Sequence, residues 1–97
     1  MEKRKFGQTG LETSELGFGG FHLLEIPVKE AKYLLLRYLD TDGNYIETAA
    51  RYGDGESELK IGQVMATHRQ DCILAGKSHE RDKYGCINSV ENSLHNL

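Results

Sequence analysis

The sequence has little that would announce a partner. Lysine and arginine total 12 against 15 aspartates and glutamates, a formal charge of −3. Without a basic excess there is no electrostatic footprint for nucleic acid or an anionic membrane. Cysteine occurs only twice, at Cys72 and Cys86, with neither C-x-x-C nor metal-ligand spacing. A disulfide framework is therefore not expected, and a reduced, cytoplasmic setting is. No apolar run approaches membrane-spanning length. The positive start, Met1-Glu2-Lys3-Arg4-Lys5, is not followed by the apolar core of a secretory signal. Apolar residues make up 38% of the chain and the mean hydropathy is −0.54, which is lean for a complete domain of 97 residues. A piece of a larger domain, its remaining apolar faces covered by other segments, would have this composition.

What is present reads as a hairpin followed by three repeats of strand and helix. Gly7, Gly10 and the Gln8-Thr9-Gly10 turn separate Arg4–Phe6 from Glu12–Ser14, so residues 3–15 are expected to form a β-hairpin. Leu16-Gly17-Phe18-Gly19-Gly20 reads as a short strand whose glycines suit close approach of a ligand or another backbone. These glycines are not a dinucleotide-binding fingerprint, because the third glycine of G-x-G-x-x-G is missing and no helix follows directly. After Pro27, residues 28–42 show helical spacing of Ala31, Leu34, Leu35, Tyr38 and Leu39, stopped by Asp42-Gly43. Asn44–Thr48 reads as a strand. Ser57 is the expected N-cap of a helix over residues 57–67 with the stripe Ile61, Val64 and Met65, and Gly62 suits close helix–strand packing. Cys72–Gly76 is a continuous apolar run, the pattern of a strand buried on both faces in a parallel sheet. A third helix starts near Asp82 or Lys83, with Ile87, Val90, Leu94 and Leu97 at helical spacing.

The strand ends fall near Gly19, Glu47 and Lys77, separated by roughly the 30 residues of a βαβ unit. That spacing predicts an α/β chain with a parallel sheet, either doubly wound or part of a barrel. Both architectures place functional residues at the C-terminal strand ends, and Glu47, Tyr52 and Lys77 all belong to that rim. An ordinary tyrosine, with a pKa of about 10, is a poor acid at neutral pH. A neighbouring ammonium favours its phenolate, and a carboxylate keeps that ammonium charged and in place. Each residue alone has a structural reading: a carboxylate–lysine pair between strand ends, or a tyrosine capping a loop. Together they form a general acid suited to protonating an oxygen as hydride reaches the adjacent carbon.

These residues resemble the aldo-keto reductases. Arg4-Lys5-Phe6-Gly7-Gln8-Thr9-Gly10-Leu11 with Ser14-Glu15-Leu16-Gly17-Phe18-Gly19-Gly20 is similar to the opening hairpin and first strand of that family. Asn44-Tyr45-Ile46-Glu47-Thr48-Ala49 with Tyr52-Gly53, Ser57-Glu58 and Ile61-Gly62 resembles its most diagnostic signature, and Ile73-Leu74-Ala75-Gly76-Lys77-Ser78 its lysine strand. The resemblance implies three βα units of an eight-stranded TIM barrel of about 250 residues, with residues 1–15 as the hairpin and 16–97 as the units. It implies NADPH-dependent reduction of a small aldehyde or ketone to an alcohol by a longer protein. Tyr52 would be the proton donor, Lys77 the residue that lowers its pKa, and Glu47 would stand where the family has aspartate. Gly19, Gly20 and Phe21 would approach the nicotinamide and substrate.

Two departures follow from the same comparison. Glu47 is one methylene longer than aspartate. The family's tetrad histidine belongs to a fourth strand, and most of its cofactor contacts belong to the last strands, both beyond these three units. Of the histidines here, His79 is nearest the rim but reads as a solvated loop residue, and His22 could line a substrate pocket. His68 and His95 read as surface helix residues, and no metal site is expected. The alternative expectation is a truncated, catalytically incomplete chain that self-associates through exposed sheet edges and uncovered helix faces.

Overall fold

A computed structural model describes all 97 residues, Met1–Leu97. Gly7 and Gly10 take positive φ angles of 57° and 81°, a region glycine enters without steric cost. They fold β1 (Lys3–Lys5) against β2 (Glu12–Ser14) as an antiparallel pair with Arg4 opposite Thr13. The first strand sits one residue earlier than the pattern suggests. Phe6 belongs to the turn, its carbonyl accepting from both the backbone N–H and the hydroxyl of Thr9.

Three short strands, β3 (Phe18–Gly19), β4 (Tyr45–Glu47) and β5 (Ile73–Ala75), form a parallel sheet with β4 in the centre. Helix α1 (Val28–Asp40) links β3 to β4, α2 (Glu56–His68) links β4 to β5, and α3 (Lys83–Asn96) follows β5. Side chains alternate faces along a strand, and Ile46, fully buried, points into the helical layer. There it joins Leu23, Ala31, Leu35, Ile61, Val64, Met65 and Cys72 in one core. Each such aliphatic side chain contributes about 1.5–3 kcal/mol when fully buried. The neighbours of Ile46 along β4, Tyr45 and Glu47, take the opposite face and are half-buried.

The hairpin is tied to the N-terminal ends of these strands. Asn44 Oδ1 accepts from the Ser14 backbone N–H at 2.7 Å, and Asn44 Nδ2 donates to the Glu12 carbonyl at 2.9 Å. The Tyr38 hydroxyl lies within 3.0 Å of Ser14 Oγ and of the carbonyls of Leu16 and Tyr45. Having one proton to donate, it joins three segments at a single atom.

Several expectations change on folding. Ser57 is not the N-cap of α2, which starts at Glu56 after Gly55. Gly53, Asp54 and Gly55 take successive positive φ angles of 65°, 49° and 99°, so the turn into the helix is made by backbone and Ser57 lies buried inside the first turn. Gly62 faces α3 and not a strand: a Cβ there would lie 2.1 Å from the Asn96 carbonyl. Leu34 remains 41% exposed, because α2 packs along the other flank of α1. Strand β5 is half-buried throughout instead of buried on both faces, since it is an edge strand with β4 as its one neighbour. On α3, Ile87, Val90 and Leu94 are exposed, and only Leu97 of the expected stripe packs on the core. Two 3₁₀ turns, Phe21–Glu25 and Arg69–Asp71, occupy stretches that carry no periodic signal.

Candidate active site

Register brings the rim residues together. Glu47 pairs with Ala75, and Gly19 pairs with Glu47. Lys77 is two residues beyond Ala75 and so, by alternation, on the face of the sheet that Glu47 occupies. Backbone bonds from Thr48 N to the Ala75 carbonyl (2.8 Å) and from Ala50 N to the Lys77 carbonyl (3.1 Å) carry the pairing past the strand ends. The Lys77 ammonium donates to Glu47 Oε2 at 2.6 Å and to the Thr48 carbonyl at 2.9 Å. The Tyr52 hydroxyl donates to that same Glu47 oxygen at 3.4 Å, and Lys77 Nζ lies 5.1 Å from the centroid of the Tyr52 ring. One carboxylate oxygen thus holds both the ammonium and the phenol.

Burial is the largest influence on Lys77 and pulls its pKa down. The hydrogen bond and charge of Glu47, with Tyr52 adding to them, outweigh it, and the ammonium is held above the ordinary lysine value. Its charge is therefore secure at physiological pH.

Residues 19–21 divide into two kinds. Gly19 opens onto free space, whereas a Cβ on Gly20 would lie 2.8 Å from both the Glu47 carbonyl and Ser57 Oγ. Gly20 donates its N–H to the Glu47 carbonyl at 2.8 Å and accepts from Ser57 Oγ at 2.8 Å. It locks the rim instead of facing outward. The half-exposed Phe21 ring meets Tyr52 edge-on, with centroids 5.1 Å apart at 81°. His22 is exposed, paired with Glu25 at 3.2 Å and in edge contact with Phe21. His79 is exposed on the loop after Lys77, without a side-chain hydrogen bond. His68 bonds Thr67, and His95 is exposed on α3. No group of three His, Cys, Asp or Glu side chains is placed to hold a metal ion.

Sequence reading overlooks what supports this rim. Lys60, 7% exposed, donates to the carbonyls of Leu23 and Ile26, both at 2.8 Å, and pins the turn that carries Phe21. Ser57 Oγ joins Thr48 Oγ1 at 2.9 Å as well as Gly20. Their signal was positional: both fall on the buried stripe of α2 with Ile61 and Val64, where a polar residue must find internal partners.

A family model described as the aldo/keto reductase family matches residues 15–97. The chain belongs to the aldo-keto reductase family. An aldo-keto reductase from Bacillus halodurans, AKR11C1 in its holo form, superposes with a TM-score of 0.88 at 33% identity, over 100% of this chain and 36% of that one. "Uncharacterized oxidoreductase YqkF" of Bacillus subtilis is 35% identical over 81 residues, covering 84% of this chain and 26% of that protein. A protein of Oryza sativa subsp. japonica named "Probable voltage-gated potassium channel subunit beta" is 32% identical over 82 residues, covering 79% and 25%. The chain thus spans about a quarter of the length of these curated relatives. The fold is α/β and forms part of a barrel, as in the aldo-keto reductase structure on which it superposes, which decides between the doubly wound and barrel alternatives.

Proposed function

We propose that this segment supplies the proton-donating part of the active site of an NADPH-dependent reductase that converts a small aldehyde or ketone to an alcohol. The observation that carries this reading is the Glu47 oxygen shared by Lys77 and Tyr52 at the C-terminal rim. Tyr52 gives its hydroxyl proton to the carbonyl oxygen, and the phenolate left behind is stabilised by the Lys77 cation. Glu47 keeps Lys77 charged and oriented, and solvent then returns a proton to Tyr52.

The residues fit the reactive end of a nicotinamide cofactor. Gly19 leaves open space beside the rim, and Phe21 offers a half-exposed aromatic edge against Tyr52. When bound, the cofactor supplies the hydride that reduces the carbonyl carbon. Phe21 and Tyr52 would flank that carbon and limit access of water.

The test is NADPH oxidation by a longer protein carrying this segment, with small aldehydes and ketones as substrates. Tyr52→Phe removes the phenolic proton proposed for transfer to the carbonyl oxygen, so turnover should fall by about 10²–10⁴-fold while NADPH binding persists. Equal turnover in the mutant overturns the role of Tyr52.

A second reading concerns the 97 residues themselves. Ile87, Val90 and Leu94 form an exposed apolar stripe on α3, and β3 and β5 are free sheet edges. Apolar stripes and open edges favour association between copies. Multi-angle light scattering on the 97-residue chain should show a defined oligomer, and a monomer at all concentrations would contradict it.

A further inference from the structure

A polar cavity of about 550 Å³ lies between the start of α2 and α3, and neither Glu47, Tyr52 nor Lys77 lines it. Its walls carry three carboxylates, Asp54, Glu58 and Glu80, and three carboxamides, Asn88, Asn92 and Asn96, with one hydrophobic residue and no basic one. The asparagines recur every four residues along α3, which puts them on one face.

Glu58 shows what this cavity lacks. Its side chain is 1% exposed; Oε1 accepts from Asn96 Nδ2 at 3.2 Å, and Oε2 has no partner. A buried carboxylate oxygen without a donor is strongly unfavourable. The N-terminus of α2 lends Glu58 part of a positive charge but no hydrogen bond. The buried cation on the same helix, Lys60, is committed to the carbonyls of Leu23 and Ile26 and lies near Glu56 at 3.7 Å.

We infer that the cavity binds a small organic cation with two or more amino groups, one ammonium seated on Glu58 and the others on Asp54 and Glu80. The spread of the carboxylates favours such a ligand over a metal ion, since no three acidic side chains converge on one point. An ammonium presents three donors, which the Glu58 carboxylate and the carboxamides lining the cavity can accept. It also relieves the mutual repulsion of the three carboxylates. This inference does not depend on the reductase reading.

Isothermal titration of the 97-residue chain with spermidine and putrescine tests it, with magnesium and calcium chloride as the metal arm and sodium chloride at matched ionic strength as the screening arm. Saturable spermidine binding is expected, weakened about tenfold or more by Glu58→Gln and about threefold by Glu80→Gln on the exposed rim. Should Glu58→Gln fail to fold, Glu80→Gln and Asp54→Asn decide the matter. The idea is overturned by absent saturation, by an equal response to sodium chloride, by a preference for either metal, or by unchanged affinity in the folded variants.

Discussion

The carboxylate of Glu47 lies 2.6 Å from the ammonium of Lys77, across two neighbouring strand ends and 30 residues of chain. The same oxygen reaches the Tyr52 hydroxyl at 3.4 Å. A shared acceptor makes Glu47 both the anchor of the cation and a direct neighbour of the phenol. Changing it should therefore alter both partners at once.

Glu47→Gln keeps an acceptor but removes the charge that raises the Lys77 pKa. With burial then unopposed by a carboxylate, the Lys77 pKa should fall, as read by carbon NMR titration of the lysine side chains. In a reductase of the proposed kind that carries this segment, turnover should fall by about ten- to a hundredfold, with NADPH affinity changed far less. A Lys77 titration unmoved by the substitution would show that Glu47 does not control that charge.

The titrating groups define a stability plateau. Asp42 is held below its ordinary value of 3.8 by its hydrogen bond and charge pairing with Lys3, so its contribution is present above that pH and lost on acidification. Burial, the largest cause, raises the Cys72 thiol above 9.0, and Lys77 is raised above 10.5. Both raised groups contribute fully below those ordinary values and lose their contribution as pH climbs through the folded-state values. Lys77, with its side chain 48% exposed, contributes less than about 1 kcal/mol after solvent screening. Urea denaturation across pH should show constant stability between about pH 5 and 8.5 and a decline on either side.

Lys60→Met retains the apolar stem and removes the ammonium, taking the Lys60 donor from the Ile26 carbonyl and leaving the Leu23 carbonyl with the Ile26 N–H at 3.5 Å. The expected loss is about 1–3 kcal/mol in denaturant unfolding. Because Lys60 pins the turn bearing Phe21, contacts between the Phe21 and Tyr52 rings should weaken too, as measured by NMR cross-peaks. The chain has no tryptophan, so tyrosine emission gives an independent optical signal.

Gly43 and Gly19 should respond oppositely to alanine. A Cβ at Gly43 would lie 2.3 Å from the Tyr38 ring, displacing the residue that joins β2, β3 and β4, at a cost of about 1–3 kcal/mol. A Cβ at Gly19 meets nothing within 4 Å, and stability should stay within about 0.5 kcal/mol. Any effect of Gly19→Ala should appear instead in NADPH binding, if measured in a reductase of the proposed kind that carries this segment. Thermal melting of the two variants gives the comparison.

Much of the fold was legible in order and type. Strands β3 to β5 and all three helices lie within a few residues of where periodicity places them, because apolar spacing reports local geometry directly. Asp82 is the N-cap of α3, its side chain accepting from Gly85 N at 2.7 Å. The meeting of Glu47, Tyr52 and Lys77 was legible too, since parallel strands of similar length end on one rim.

Less legible was every feature that depends on a distant partner. The stripe Ile87, Val90 and Leu94 has a helix's periodicity whether or not anything covers it, and only the packing shows it exposed. Ser57 looks like an N-cap until the left-handed run Gly53–Gly55 makes the turn without it.

By itself, then, the sequence determined the alternation of strands and helices, the family, and the chemical types gathered at one strand end, all of which follow from local spacing. The tertiary structure decided which oxygen Lys77 and Tyr52 share, which glycine is open and which is locked, and which charges are buried with partners. Lys60 with its carbonyls, and Glu58 with one oxygen unmatched, are separated from the groups that decide their energy by more than 30 residues. Such pairings are set by three-dimensional distance and burial, and neither quantity is written in residue order.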